Sequence, residues 1–173
     1  VSIDEVAEQA NVGRTTVFEQ FGSKLKLLEA VEQDVSARAG VDKLLQALLV
    51  PDARASLRAA FQVGCHVWAR EAEMFRKLFG LAIVDPEMRK VMAEKQQKRV
   101  ALIDHLATQL EQQGCLKSGK TKRDAIETLS LLTSFEAFDA LYALSGDSQR
   151  VADQLEEMVS VLLVPAARSA VNQ

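Results

Sequence analysis

Cysteine, histidine, proline, glycine and aromatic residues are all scarce in this chain, and each shortage excludes a class of protein. The two cysteines, Cys65 and Cys115, lack metal-ligand spacing. That argues against a disulfide scaffold or a zinc module and for buried free thiols in a reducing cytoplasm. The two histidines, His66 and His105, stand apart. Cys65 and His66 are adjacent, but neighbours on a helix point about 100° apart, so adjacency makes no dyad. No catalytic residue, metal or cofactor is expected. Three prolines and eight glycines are too few for an all-β or disordered chain. No apolar run approaches the ~18 residues of a membrane span, so no membrane partner is expected. Positive charge is also short. Residues 1–38 carry Arg14, Lys24, Lys26 and Arg38 against Asp4, Glu5, Glu8, Glu19, Glu29, Glu32 and Asp34. The basic footprint of a nucleic-acid binder is missing at the level of composition.

What remains is rich in helix formers, and an apolar fraction of 48% is ample for a core. The expected class is all-α. Ser2 and Glu5 read as a capping box, and Ile3, Val6, Ala7 and Ala10 form one stripe. Asn11-Val12-Gly13 breaks the period, with Val12 tucked between two helices. Arg14 to Gln20 is too short to be a helix alone and must be held through Val17 and Phe21. Ser23 caps a third helix to about Arg38, with Leu27, Leu28, Val31 and Val35 inside. Gly40 marks a boundary, giving domains 1–39 and 40–173. Further helices are expected over 42–49, 53–70 and 71–83. Asp85-Pro86-Glu87 opens a long one that reaches Gln113 and stops at Gly114. Its middle, Glu94 to Arg99, is polar and should face water. A single helix is expected from Thr121 to about Leu144. A last one runs from about Gln149 towards the end, kinked at Pro165.

The first three helices have the shape of a helix-turn-helix, whose second helix enters the DNA major groove. The residues from Ala10 to Lys24, ANVGRTTVFEQFGSK, also resemble the recognition segment of TetR-type transcriptional repressors. The usual pattern there is Ala-Gly-Val-Ser-x-x-Thr-(Leu/Val)-Tyr-x-x-Phe-x-(Ser/Asn)-Lys, followed by a Leu-Leu pair, here Leu27 and Leu28. Phe18 replaces the pattern's Tyr, Asn11 its Gly and Gly13 its Ser. The specific likeness covers about the first 30 residues. The resemblance implies a further helix upstream of Val1, so the chain is expected to lack the family's first helix. It implies double-stranded operator DNA as partner. Arg14, Thr15, Thr16, Phe18 and Gln20 would lie on the DNA face, and Lys24 would bind phosphate. Arg14 and Gln20 carry forked groups suited to base edges.

Phe61, Trp68, Phe75, Phe79, Phe135, Phe138 and Tyr142 fall at helical spacings. Singly they read as core. As a set with Cys65 they have the composition of an apolar pocket, with Tyr142, His66, Ser134 and the Trp68 ring nitrogen as sparse polar groups. The resemblance implies a small apolar or amphipathic ligand there. Glu136 and Asp139 sit on a helix expected to be largely buried. Pairing with arginines across a dimer is favoured over holding a polar ligand group. Val159, Val161, Leu162, Leu163 and Val164 are apolar all round a helix, which then needs burial on more than one side. A homodimer is expected through 121–145 and 149–170, with Leu129, Leu155, Val159, Leu162 and Leu163 at the interface. The reading is a ligand-responsive DNA-binding regulator, most simply a repressor. The alternative is a helical small-molecule binding protein with a vestigial DNA-reading unit, favoured by the acidic head and by Phe18.

Overall fold

The computed structural model describes residues 2–165. Among them every regular element is an α-helix. In order these are α1 (Ile3–Gln9), α2 (Arg14–Phe21), α3 (Lys24–Ala39), α4 (Val41–Leu48) and α5 (Ala53–Arg70), then α6 (Ala72–Val84), α7 (Pro86–Gln112), α8 (Lys122–Leu132), α9 (Phe135–Ser145) and α10 (Ser148–Leu162).

Side-chain oxygens set most of the starts. Ser2 with Glu5, and Thr121 with Asp124, close reciprocal capping boxes. Ser23, Asp52 and Ser134 each accept from a backbone N–H three residues on. Asp85 accepts from the N–H groups of both Glu87 and Met88, and Pro86 occupies the first turn, where a missing N–H costs nothing. Between α1 and α2 the left-handed residue is Asn11 (φ 54), whereas Gly13 keeps φ −70 as the cap of α2. Val12 is exposed rather than wedged between the helices. Gly40, at φ 86, ends α3 and opens α4 at once, a reversal that a side chain would strain.

Two hydrophobic clusters organise the chain. The head cluster joins Ala7, Val17 and Leu27, with Ile3, Val6 and Phe21 against it. The body cluster runs through every helix from α3 to α10. At its centre α5 packs on α4, α10, α7 and α9, while α7 packs along α6, α8 and α3. α3 belongs to both clusters: Leu27 serves the head, and Leu28, Val35 and Ala39 serve the body. Gly40 is therefore a turn in the chain, and the packing of α3 continues across it. Val31 lies at the surface of α3 instead of inside.

Two expected helices end early. The helix expected from Thr121 to Leu144 breaks at Thr133-Ser134. The Ser134 hydroxyl caps α9 by accepting from Ala137 N–H, and Arg99 donates to the Ser130 carbonyl and the Thr133 hydroxyl at the end of α8. The last helix stops at Leu162, before Pro165. Lys117 donates to the freed carbonyls of Val161 and Leu163, and Arg54 to that of Pro165. The rest of the expected helix, 166–173, and that part of the expected interface lie outside the described residues.

The interface assignment is corrected in part. Leu129, Leu155, Val159 and Leu163 are buried in the protomer's own core and offer nothing to a partner. Their exposed neighbours do: Leu162 is 50% exposed, and Leu131, Leu144, Met158 and Val161 also lie at the surface. An all-round apolar sequence told that both sides need cover, not which side is inside.

Candidate functional site

The head presents α2 outward. Val17 alone of its residues is buried, while Arg14, Thr15, Thr16, Phe18 and Gln20 are exposed. Packing through Val17, with Phe21 at the cluster's edge, leaves the opposite face free for a partner. Gly13 supplies no side-chain cap, so the first N–H groups of α2 have no side-chain acceptor. Arg14 meets Asp4 of α1 at 3.3 Å, both well exposed. Such a pair is weak in water and easily exchanged for another anion.

Lys24 is placed differently. Its ammonium is turned back onto the body, where it bonds Asp85 and lies 3.3 Å from Glu87. The hydrogen bond to Asp85 raises the lysine above its ordinary value. The same bond, joined by the Met88 and Glu87 N–H groups, holds the Asp85 carboxyl below the usual aspartate value. Asp85 is itself buried. Lys24 thus ties the start of α3 to the start of α7, and sequence spacing could not have paired residues so far apart. A second tie runs alongside it. Buried Glu32 of α3 accepts from Ser36 and pairs with Lys95 of α7 at 2.6 Å.

A cavity of about 70 Å³ lies in the body. Phe61, Cys65 and Trp68 of α5 and Phe138 of α9 line it, as expected of them. Phe75, Phe79, Phe135 and Tyr142 do not. Their rings pack on one another and on Trp68 and Phe138 instead: Phe79 stacks on Phe135 at 5.1 Å, Phe75 meets Trp68 edge-on at 4.8 Å, and Tyr142 stacks on Phe138 at 4.9 Å. Mutual ring contact removed them from the cavity wall. The wall also takes in Leu44 and Leu48 of α4, Leu102, Ile103 and Leu106 of α7, Thr133 and Ser134, and smaller shares of α5, α8 and α10. His66 is exposed on the other side of α5, away from buried Cys65, whose thiol burial pushes up to about 12. That thiol is inert at neutral pH.

Arg99 is the wall residue that sequence reasoning missed. It lies in the stretch expected to face water. Yet it precedes Ile103 by four residues and Leu106 by seven, which places it on the buried stripe of α7. That spacing was the available signal. Its Nε donates to Gln96, its other two nitrogens to Thr133 and Ser130, and burial lowers it from its ordinary value. Lys95 is likewise turned inward, to Glu32. Asp139 does pair with an arginine, but with Arg76 of the same protomer, at 2.7 Å. Glu136 is exposed.

Residues 1–31 match the sequence profile of the family described as bacterial regulatory proteins, tetR family. Among curated proteins no sequence matches. A solved structure, described as a "putative transcriptional regulator from Saccharomonospora viridis" in complex with choline, is similar with a TM-score of 0.65. It shares 18% sequence identity, and the match covers 95% of this chain and 87% of that one. At that identity the likeness is one of fold. No helix among the described residues is long and apolar enough to cross a membrane.

Proposed function

Because its first 31 residues are a TetR-family N-terminal domain, we propose that this chain is a homodimeric transcriptional repressor that a small molecule releases from its operator. The observation that carries the reading is α2. It is an eight-residue helix with one buried side chain and an outward face of Arg14, Thr15, Thr16, Phe18 and Gln20. A surface so short and so polar is stable only as part of the head, and its forked donors suit base edges in the major groove. Thr16 and the uncapped start of α2 supply phosphate contacts. A dimer presents two such heads to half-sites about 34–36 Å apart. The exposed Leu144, Met158, Val161 and Leu162 of α9 and α10 support that dimer. A stable one should bury more than about 1,200 Å² in total.

The ligand enters the body cavity. At about 70 Å³ it is far smaller than the ~300 Å³ or more of an ordinary ligand site, so occupancy displaces a wall. The movable wall is α4, which contributes Leu44 and Leu48 and is joined to α3 through Gly40. Pushing α4 outward turns α3 and with it the head. Choline in the fold neighbour supports a ligand site in this kind of body.

The reading is tested by titrating operator DNA, selected by the protein from genomic fragments, and its single-base variants at two salt concentrations. Arg14→Ala should cost about 1–3 kcal/mol on the cognate site and relax choice at one position per half-site. Equal weakening on every variant would make Arg14 a phosphate contact and leave reading to Thr15 and Gln20. The alternative, a ligand-binding protein with a vestigial head, is favoured by the carboxylates that already engage Arg14 and Lys24. Absence of any salt-dependent DNA binding would establish it.

A further inference from the structure

We propose that the body cavity takes a small apolar carboxylate, anchored by Arg99. The inference rests on the ligand-responsive reading above and names its ligand class. The buried carboxylates of the body are matched, Glu32 by Lys95 and Asp85 by Lys24. Half-buried Arg99 has no such counter-charge. It lines the cavity and makes no ion pair among the described residues. A guanidinium has five N–H donors. Three are used on neutral acceptors, Gln96 at 3.1 Å, Thr133 at 2.9 Å and Ser130 at 3.1 Å. Two remain. A half-buried cation offered only neutral hydrogen-bond partners gains most from an anion that uses both.

The rest of the lining agrees. Beyond Arg99 its side-chain hydrogen-bonding groups are the hydroxyls of Thr133 and Ser134, the Trp68 ring N–H and the weakly donating Cys65 thiol. Both oxygens already accept, from Arg99 and from Ala137 N–H. The Thr133 hydroxyl donates to the Leu129 carbonyl. The site thus offers spare donors and no carboxylate. A quaternary ammonium such as choline would meet a like charge. Glu136 acts on the charge of Arg99 from outside but does not line the cavity. The leucine, isoleucine and phenylalanine wall receives a hydrocarbon tail, and entry of that tail displaces Leu44 and Leu48.

The intact protein is titrated with octanoate, methyl octanoate and choline, and Trp68 emission is followed. The titrations are repeated on Arg99→Gln and Arg99→Lys. Octanoate should bind at least tenfold more tightly than its ester, and choline should leave the emission unchanged. Arg99→Gln should weaken octanoate at least tenfold and leave the ester as it was, while Arg99→Lys should retain part of the preference. Arg99 also closes the end of α8, so Arg99→Gln could fail to fold. The acid-against-ester comparison on the unaltered protein decides without it. Ester or choline binding as tightly as octanoate overturns the carboxylate, and so does octanoate without binding at millimolar concentration. The ligand-responsive reading stands or falls separately, on whether any molecule bound in the cavity changes operator affinity in a gel shift.

Discussion

Replacing Phe138 by alanine should cost much of the body's stability and, in the same step, make it a better receptor. Phe138 is 1% exposed, lines the cavity, and packs its ring at 4.9 Å from Tyr142 and 6.3 Å from Phe135. Exposing a side chain of this kind forfeits about 1.5–3 kcal/mol of transfer free energy. The lost ring contacts and the void bring the expected total to about 3–5 kcal/mol. Against a native stability of about 5–15 kcal/mol, the variant should fold but melt at much lower urea concentration. If about 1–2 kcal/mol of the loss is the void, the usual cost of about 24 cal/mol per Å³ makes that void about 40–80 Å³. Added to the existing cavity of about 70 Å³, it approaches the 150 Å³ of an engineered cavity that holds benzene. Phe138→Ala should therefore bind benzene without moving α4, and the unaltered protein should not. Urea unfolding by circular dichroism measures the first effect, and Trp68 emission with benzene measures the second. A stability loss below about 1 kcal/mol, or equal benzene binding by both proteins, would refute the placement of Phe138 in a tightly packed wall.

Adjacent residues of α10's end should behave oppositely. Leu162→Glu should leave the fold intact and yield monomers by sedimentation, whereas Leu163→Glu, which puts a charge in the core, should unfold the protein. A Leu162→Glu protein that remains a stable dimer would remove α10 from the interface. Asp85→Asn keeps the oxygen that caps α7 and removes the charge that holds Lys24. Because Asp85 is held below the ordinary aspartate value, its contribution is full above that value and is lost as pH falls through its lower folded one. Acid unfolding of Asp85→Asn should accordingly lack that part of the loss. If the freed lysine then reaches phosphate, the slope of log affinity against log salt should steepen by about one unit per subunit, and Lys24→Ala should abolish the gain. An unchanged slope would confine Lys24 to its structural tie.

The legible parts of this chain are local ones. A capping oxygen and its N–H lie three residues apart, so Ser2, Ser23, Asp85 and Thr121 announced their helices with no knowledge of the rest. The break at Thr133-Ser134 was hidden because Leu131, Leu132 and Phe135 continue an apolar run across it. Only Arg99, from another helix, satisfies the carbonyl the break exposes. The aromatic spacings correctly marked inward faces, but a period cannot say whether two inward rings meet each other or leave a gap. Phe79 and Phe135 meet; Phe61 and Phe138 border the gap. Charge was hardest to place. Arg99 and Lys95 looked solvated from their neighbours, and Lys24 looked free. Their partners come from distant segments, which the fold alone brings near.

At 16 residues and 1.5 Å per residue, α3 is a rod about 24 Å long that carries Leu27 into the head cluster near its start and packs Leu28, Val35 and Ala39 along the body cluster. A tilt of about 10° about its Gly40 end would carry the Lys24 end about 4 Å. In a symmetric pair the two shifts add to about 8 Å, against a groove repeat of 34–36 Å. On the proposed reading the wall displacement needed at the cavity would therefore be small, because the rod multiplies it. The same rod is pinned at its far end to the start of α7 by Lys24 and midway by Glu32 and Lys95. It swings only by carrying α7 along or by giving up those ion pairs. On the proposed ligand-responsive reading, salt concentration and acidity, which weaken the pairs, would set how much ligand is needed to move a head that the ligand never touches.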